Sequence, residues 1–156
     1  MTQGDTVRTS ILLLSGPNLQ LLGTREPEIY GTETLADHVA RATATATGLG
    51  ADLDHLQSNH EGVLVDAIGE ARGRHDGIVI NPGAFTHYSW AIHDALASFD
   101  GPIVELHLSN PQTRETWRHT SVVTPVADAL ISGLGGAGYR LAVDAAMELI
   151  ARHAQE

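Results

Sequence analysis

Cysteine and lysine are both missing from this chain of 156 residues. Without cysteine there are no disulfides, thiolate metal sites, iron–sulfur clusters or cysteine nucleophiles. Without lysine there is no Walker-type phosphate loop, and no side-chain amine can form an imine with a carbonyl substrate. All nine basic residues are therefore arginines.

Positive charge and long apolar runs are also scarce. Nine arginines face 19 acidic residues, for a formal net charge of −10. This balance argues against a nucleic-acid partner, and an anionic substrate would have to be bound by a few local arginines. No apolar run approaches the roughly 18 residues that span a bilayer, and the polar segment Met1 to Ser10 does not resemble a secretory signal. We therefore expect a cytoplasmic protein without a membrane partner.

The length fits the roughly 100–200 residues of one domain, and we expect a single catalytic domain over 1–156 with a polar N-terminal extension at 1–9.

Apolar runs alternate with helical segments along the chain. The predicted strands are 11–14, 51–57, 77–81, 102–108 and 129–134. The predicted helices are 33–47, a segment capped by Ser58 or Asn59 that carries Leu64, Ile68 and Ala71, about 88–98, and 139–153, where Leu141, Ala145 and Met147 lie near one face. This alternation predicts an α/β fold, a three-layer doubly wound domain with a five-stranded parallel sheet.

Ligands of such sheets bind beyond the carboxyl ends of the strands, and polar residues follow several predicted strands. Glu105 and His107 lie two residues apart in the fourth strand, so they project from the same face. A carboxylate beside an imidazole can fix its tautomer and leave the other nitrogen to exchange protons. An ordinary half-buried histidine with a charged neighbour is the alternative reading.

The segment 16–31 after the first strand is too long for an ordinary strand-to-helix connection of about 2–6 residues. Gly23 and Gly31 bracket Arg25 and Tyr30, an arrangement typical of a lid that closes on a ligand. A guanidinium near the phenol would favour its phenolate form. A surface loop with a packed tyrosine remains the alternative.

Two other strand ends carry candidate ligand contacts. Asn81 and His87 follow the third strand, where Thr86 or Ser89 can cap the next helix. Arg118, in the long loop after the fourth strand, can bind a ligand oxygen or pair with a surface acid.

Three familiar motifs are unsupported. The glycine cluster 133–138 matches G-x-G-x-x-G, but the chain ends before the strand and acidic residue that a dinucleotide site requires, so a turn or packing role is expected. The nine histidines show no metal-ligand spacing, and we expect no metal. No G-x-S-x-G elbow is present.

Five ordered motifs together carry a family resemblance. They are Gly16-Pro17-Asn18-Leu19, Arg25-Glu26-Pro27 with Tyr30-Gly31, 57–62 (QSNHEG), Ile80-Asn81-Pro82-Gly83-Ala84 with Thr86-His87, and 105–110 (ELHLSN) with Arg114, Arg118 and His119. From about residue 11 to about residue 150 the chain resembles type II 3-dehydroquinate dehydratase. The resemblance implies a flavodoxin-like fold, assembly as a dodecamer of four trimers, and no cofactor. It also implies conversion of 3-dehydroquinate to 3-dehydroshikimate and water, in the shikimate route or in quinate breakdown.

The resemblance also implies residue roles. Tyr30 would be the base that removes the proton alpha to the ketone, with Arg25 favouring its phenolate. His107 would be the acid that protonates the departing hydroxyl, with Glu105 orienting it, and Asn18 would hold a water or the enolate oxygen. The substrate-binding residues would be Asn81, His87, Leu108, Ser109 and Arg118, with Asp94 supplied by a neighbouring subunit.

The residues themselves favour the same chemistry. Because lysine is absent, the alpha proton must be made removable through an enolate stabilised by preorganised donors, each contributing roughly 2.7–4 kcal/mol in comparable oxyanion sites. The sequence departs from the family pattern at Gln20, Gly69, Phe85, His93 and Thr120. A catalytically inactive flavodoxin-like small-molecule binding module is the alternative function.

Overall fold

The computed structural model describes residues 6–156 and contains five parallel strands. They are β1 (Thr9–Ser15), β2 (Ala51–Gln57), β3 (Gly77–Asn81), β4 (Ile103–His107) and β5 (Ala129–Ser132). Their order across the sheet is β2-β1-β3-β4-β5, and every neighbouring pair is parallel. The order reverses its direction between β1 and β3, which is the point where flavodoxin-like sheets bind ligands.

The predicted strands match the observed ones closely, with differences at the outer ends. β1 begins at Thr9, which pairs with Ala51, so the last residue of the expected N-terminal extension is already part of the sheet. Residues 1–5 of that extension lie outside the described residues. β5 ends at Ser132, two residues earlier than predicted, because Gly133 takes a positive φ of 86° and turns the chain.

Five α-helices connect and cover the strands. They are α1 (Pro27–Tyr30), α2 (Leu35–Gly48), α3 (Glu61–Ala71), α4 (Trp90–Ala97) and α5 (Ala137–His153). Thr34 and Asp37 form a capping box at the start of α2, and the hydroxyls of Thr43 and Thr45 bond to carbonyls four residues earlier inside this helix. The loop 109–126 contains three short 3-10 turns.

The caps of α3 and α4 differ from one another. Ser89 caps α4 by accepting a hydrogen bond from the backbone N–H of Ile92, as predicted. The predicted cap of α3 by Ser58 or Asn59 is wrong, since α3 begins after His60 without a side-chain cap. The Ser58 hydroxyl accepts from His60 N–H instead, and the Asn59 side chain accepts from the N–H of Asn18.

Two hydrophobic layers enclose the sheet, one on each face. Ile11 and Leu13 of β1 point to the layer formed with α2 and α5, whereas Leu12 and Leu14 point to the layer formed with α3 and α4. Both layers are closely packed because successive side chains of a strand point to opposite faces and β1 is covered on both. This arrangement confirms the predicted three-layer, doubly wound fold.

The most deeply buried side of α5 lies next to the predicted apolar face, of which Ala145 and Met147 pack against the core layer as partly buried residues. Leu141, Ala145 and Met147 are only partly buried. The residues of α5 that are buried most deeply are Gly138, Tyr139, Ala142, Val143 and Ala146. Gly138 is the first of these residues and packs directly on β4. A Cβ atom there would lie only 2.8 Å from the Leu106 side chain, so the absence of a side chain allows the close contact. The glycine cluster therefore has a turn and packing role, as expected.

Within residues 6–156, no helix is both long enough and apolar enough to cross a membrane.

Candidate active site

A cavity of about 190 Å³ opens at the carboxyl ends of β1, β3 and β4. Its wall contains nine of the eleven side chains predicted to form the site: Asn18, Arg25, Tyr30, Asn81, His87, His107, Leu108, Ser109 and Arg118. Glu105 lies behind His107 and is fully buried. Asp94 is exposed on α4 and does not line this cavity.

The floor of the cavity depends on a close approach between the turns after β1 and β3. The N–H of Gly16 donates to the carbonyl of Asn81 at 2.8 Å. A Cβ atom on Gly16 would lie 2.2 Å from the carbonyl oxygen of Pro82, so only glycine fits this position. Asn18 follows in a left-handed conformation with φ 67°, which asparagine tolerates better than most residues. These contacts bring Asn18 and Asn81 to the same cavity.

The predicted lid segment 16–31 is anchored in the core near its start and bounded by two glycines farther on. Leu19 and Leu22 are buried in the core layer under α2 and α5, which stabilises each by about 1.5–3 kcal/mol relative to exposure. Beyond them, Gly23 and Gly31 both have positive φ values, 92° and 85°. Gln20, where the family pattern usually has asparagine, accepts a hydrogen bond from Gln57 at the base of this segment.

Tyr30 meets an arginine that the sequence prediction did not assign to the site. The Nη1 of Arg114 donates to the phenol oxygen of Tyr30 at 2.7 Å and to the Ser109 hydroxyl at 3.3 Å. The Arg25 guanidinium lies 5.8 Å from the centre of the Tyr30 ring and pairs with Glu26 at 3.4 Å. Arg114 belongs to the motif that carried the resemblance. It directly follows the 3-10 turn Pro111–Thr113, close in sequence to the strand end at His107, and this proximity was the available signal for a site residue.

Glu105 and His107 form the pair that their spacing predicts. The Nε2 of His107 lies 3.2 Å from Oε1 of Glu105. Burial alone would raise the pKa of Glu105, but hydrogen bonds from His107, Thr124 and Thr86 outweigh it and lower that pKa to about 2. An ionised carboxylate only accepts hydrogen bonds, so Nε2 carries the proton of this contact and Nδ1 is the nitrogen that can exchange one with a ligand.

Three hydroxyls surround the carboxylate of Glu105. Thr86 and Ser121 donate to Oε1 at 2.6 and 2.9 Å, and Thr124 donates to Oε2. The sequence prediction considered Thr86 only as a helix cap and did not single out the other two. Their contribution depends on the long loop 109–126 folding back over β4, which no local pattern indicates.

His87 and Arg118 form the wall opposite the lid segment. The Nδ1–H of His87 donates to the carbonyl of Thr120 at 2.7 Å. Burial lowers the pKa of His87 and outweighs this bond, which raises it, so the ring is neutral at pH 7 and its Nε2 is an acceptor. Arg118 pairs with Glu115 and its guanidinium stacks 4.0 Å from the Trp117 ring centre. The sequence left open whether Arg118 pairs with a surface acid or faces a ligand. In the structure it pairs with Glu115 and also lines the cavity.

A second, larger cavity of about 420 Å³ lies on the other side of the Glu105–His107 pair. It shares His87, His107 and Arg118 with the first cavity but contains neither Tyr30 nor Arg114. The smaller cavity is therefore the one that Tyr30, Arg114 and His107 line together. Among residues 6–156, no group of three or more histidine, aspartate or glutamate side chains is arranged to hold a metal ion.

Known proteins are similar to this chain in both sequence and fold. Residues 9–147 match the family model for dehydroquinase class II. A catabolic 3-dehydroquinase of Aspergillus clavatus is 60% identical over 135 residues, covering 86% of this chain and 90% of that protein. A 3-dehydroquinate dehydratase of Bacillus licheniformis is 55% identical over 133 residues, covering 85% and 92%. The crystal structure of a type II dehydroquinase from Butyrivibrio crossotus superposes with a TM-score of 0.87 at 45% identity, covering 90% of this chain and 98% of that one.

Proposed function

The chain belongs to the class II dehydroquinase family, and from this membership we propose how its own residues carry out the reaction. It is a hydro-lyase that eliminates water from 3-dehydroquinate to give 3-dehydroshikimate, a step of the shikimate pathway. We propose that the elimination proceeds through an enolate. A base on the lid segment and an acid on β4 carry out the two proton transfers.

Tyr30 is the proposed base. It removes the proton alpha to the substrate ketone, and the electron pair of that C–H bond moves into an enolate. The bond from Arg114 to the phenol oxygen supports this role, because a guanidinium favours the phenolate over the neutral phenol. Arg25 adds positive charge nearby, and Asn18 holds the enolate oxygen or a water bound to it.

His107 is the proposed acid. As the enolate collapses, the carbon–oxygen bond to the leaving hydroxyl breaks and Nδ1–H of His107 supplies the proton that makes it water. An imidazolium that donates from Nδ1 must also keep a proton on Nε2, and the ionised Glu105 stabilises that form. Acid–base transfer of this kind contributes typically about 10²–10⁴-fold to a rate.

The remaining cavity residues are proposed to bind the substrate. Arg118 is suited to the substrate carboxylate, since a guanidinium matches two carboxylate oxygens. The bare Nε2 of His87 can accept from a substrate hydroxyl. The other proposed contacts are the side chains of Asn81 and Ser109 and the backbone at Leu108.

The observation that carries the proposal is that Tyr30 and His107 line one cavity while each is held by its own charged partner, Arg114 and Glu105. The test is the enone absorbance that appears when purified protein meets 3-dehydroquinate. Tyr30→Phe and His107→Ala are each expected to abolish turnover while circular dichroism stays unchanged. His153→Ala, which alters an exposed histidine at the end of α5 outside the cavity, is the matched control. A wild-type rate in either site variant would overturn the assigned roles.

We further propose that the chain assembles into trimers and a dodecamer in which Asp94 of one subunit reaches the site of its neighbour. The support is an exposed surface at the start of α4, where Tyr88 and Trp90 are 60% and 63% exposed beside Asp94. Sedimentation should show twelve subunits. Asp94→Asn and Tyr30→Phe subunits, each inactive alone, should regain activity when dissociated and reassembled together, because mixed sites then combine both intact residues. No regained activity would contradict the shared site.

We also propose that residues 1–156 form one catalytic domain and that the protein is cytoplasmic. A single cooperative unfolding transition is the expected result for one domain. Cell fractionation followed by the enone assay tests the location, and activity outside the cytoplasmic fraction would contradict it.

A further inference from the structure

We propose that Thr86, Ser121 and Thr124 are positioning residues for the dehydration, because their hydroxyls hold Glu105 as an acceptor-only carboxylate and so stabilise the imidazolium form of His107, whose Nδ1–H donates to the substrate. This inference rests on the proposed role of His107 as the acid. We call the three side chains the hydroxyl cage.

The hydroxyl cage donates hydrogen bonds to both carboxylate oxygens of Glu105, which is fully buried. Thr86 and Ser121 donate to Oε1, and Thr124 donates to Oε2. Ser121 is itself fixed, since its hydroxyl oxygen accepts from the N–H groups of Val123 and Thr124. A fully buried carboxylate that received no such bonds would take up a proton rather than remain charged.

The protonation state of Glu105 decides whether the protein stabilises a doubly protonated His107 ring. A neutral carboxylic acid can donate its own proton to Nε2, which would leave Nδ1 as the protonated nitrogen of a neutral ring and remove the charge that stabilises the imidazolium. A carboxylate that is kept ionised by three hydroxyl donors has no proton to give, so it can only accept a hydrogen bond from Nε2. The cage thus keeps His107 able to carry protons on both nitrogens, as an acid that donates from Nδ1 requires.

The cage acts from outside the substrate cavity. None of its three residues lines the cavity that holds Tyr30, whereas all three line the larger cavity behind the Glu105–His107 pair. Substrate affinity should therefore be insensitive to the cage, and the chemical step should be sensitive to it. This separation distinguishes a positioning role from a general effect on the binding site.

The first experiment replaces Thr124 by valine, which keeps the shape and removes the hydroxyl. Loss of one hydrogen bond to a charged group is expected to lower kcat about tenfold, with KM within about twofold of the wild-type value. Thr124→Ser restores the hydroxyl and should restore kcat. Thr43→Val is the control, because it removes a partly buried hydroxyl bond in α2 far from the site. A wild-type kcat in Thr124→Val, or an equal defect in Thr124→Ser, would overturn the proposal.

The second experiment does not depend on activity or on the folding of a variant. Neutron diffraction from deuterated wild-type crystals should show no deuteron on Glu105, a deuteron on Nε2 of His107, and cage deuterons directed at the carboxylate. A deuteron on either Glu105 oxygen would overturn the inference. Failure of the proposed function would look different, since the wild-type protein itself would not turn over 3-dehydroquinate or His107→Ala would remain active.

Discussion

Arg114 donates a 2.7 Å hydrogen bond to the phenol oxygen of Tyr30, although 84 positions separate the two residues in the chain. The contact ties the lid segment to the loop that follows β4, and Ser109 shares the same guanidinium nitrogen. A positive charge bonded directly to the phenol oxygen is the arrangement that a tyrosine base requires. The position of Arg114 therefore links the lid geometry to the chemistry.

Replacing Arg114 by methionine should lower kcat by about 10²–10³-fold, the range observed when a donor to a developing oxyanion is removed. The physical reason is that, among residues 6–156, Arg114 is the cation bonded directly to the Tyr30 oxygen, and the phenolate would lose that bond. Steady-state enone kinetics measure the effect. Arg140→Met, which breaks an exposed pair with Asp144 on α5, should leave kcat unchanged. Equal kinetics for the two variants would show that the Arg114 contact has no catalytic role.

The protein should lose stability in acid partly through Glu105. Its pKa is about 2 in the folded protein against an ordinary value of 4.5, so the folded state holds this proton more weakly than the unfolded chain does. The resulting contribution to the free energy of unfolding is complete above about pH 4.5 and is lost as the pH falls toward 2. Urea unfolding from pH 7 to pH 3 should therefore show a shallower acid loss in Glu105→Gln than in the wild type. Glu28→Gln, at an exposed position, should follow the wild-type curve.

His38 should make a second contribution at higher pH. It is buried, stacks on Tyr139 with ring centres 4.9 Å apart, and neither ring nitrogen has a hydrogen-bond partner among residues 6–156. Burial lowers the pKa of His38, outweighing the attraction of Glu33, whose carboxylate lies 3.6 Å from Nδ1. The charged groups around it are Glu33, Asp37 and Arg41.

Because the folded state disfavours protonated His38, its stabilising contribution is present above the ordinary value of 6.5 and is lost as the pH falls below that value. The difference in free energy of unfolding between pH 7 and pH 5 should be smaller in His38→Phe than in the wild type. His153→Phe, an exposed change near the end of α5, should leave the difference unaltered. An unchanged pH dependence in His38→Phe would mean that His38 binds protons equally well in the folded and unfolded states, which would contradict the lowered pKa.

Gly16→Ala should impair both stability and turnover. The added Cβ would meet the backbone carbonyl of Pro82 at 2.2 Å, and a backbone atom cannot move aside as a flexible side chain can. The turns after β1 and β3 would separate, displacing Asn18 and Asn81. Thermal unfolding and the enone assay measure the two effects. Gly48→Ala, at the end of α2 where no atom lies within 4 Å, should be neutral or stabilising by about 0.5–1 kcal/mol. Comparable losses in both variants would contradict this steric explanation.

The sequence by itself determined the layers and the residue types at the site. Continuous apolar runs such as Ile78 to Ile80 identify strands covered on both faces, because every one of their side chains must be buried. The two-residue spacing of Glu105 and His107 fixed their shared face for the same local reason. Nine of the eleven predicted site residues consequently line one cavity, since parallel strands all present their carboxyl ends at one edge.

Only the tertiary structure decided which groups meet across distant loops. The Arg114–Tyr30 bond, the hydroxyls around Glu105 and the use of Asn59 as an acceptor for Asn18 all join segments whose separation in sequence carries no periodic signal. Strand and helix periodicity is encoded in neighbouring residues, whereas these contacts depend on how the lid segment and the loop 109–126 converge after the sheet has formed. That convergence brings Tyr30 and His107, the proposed base and the proposed acid, to one cavity.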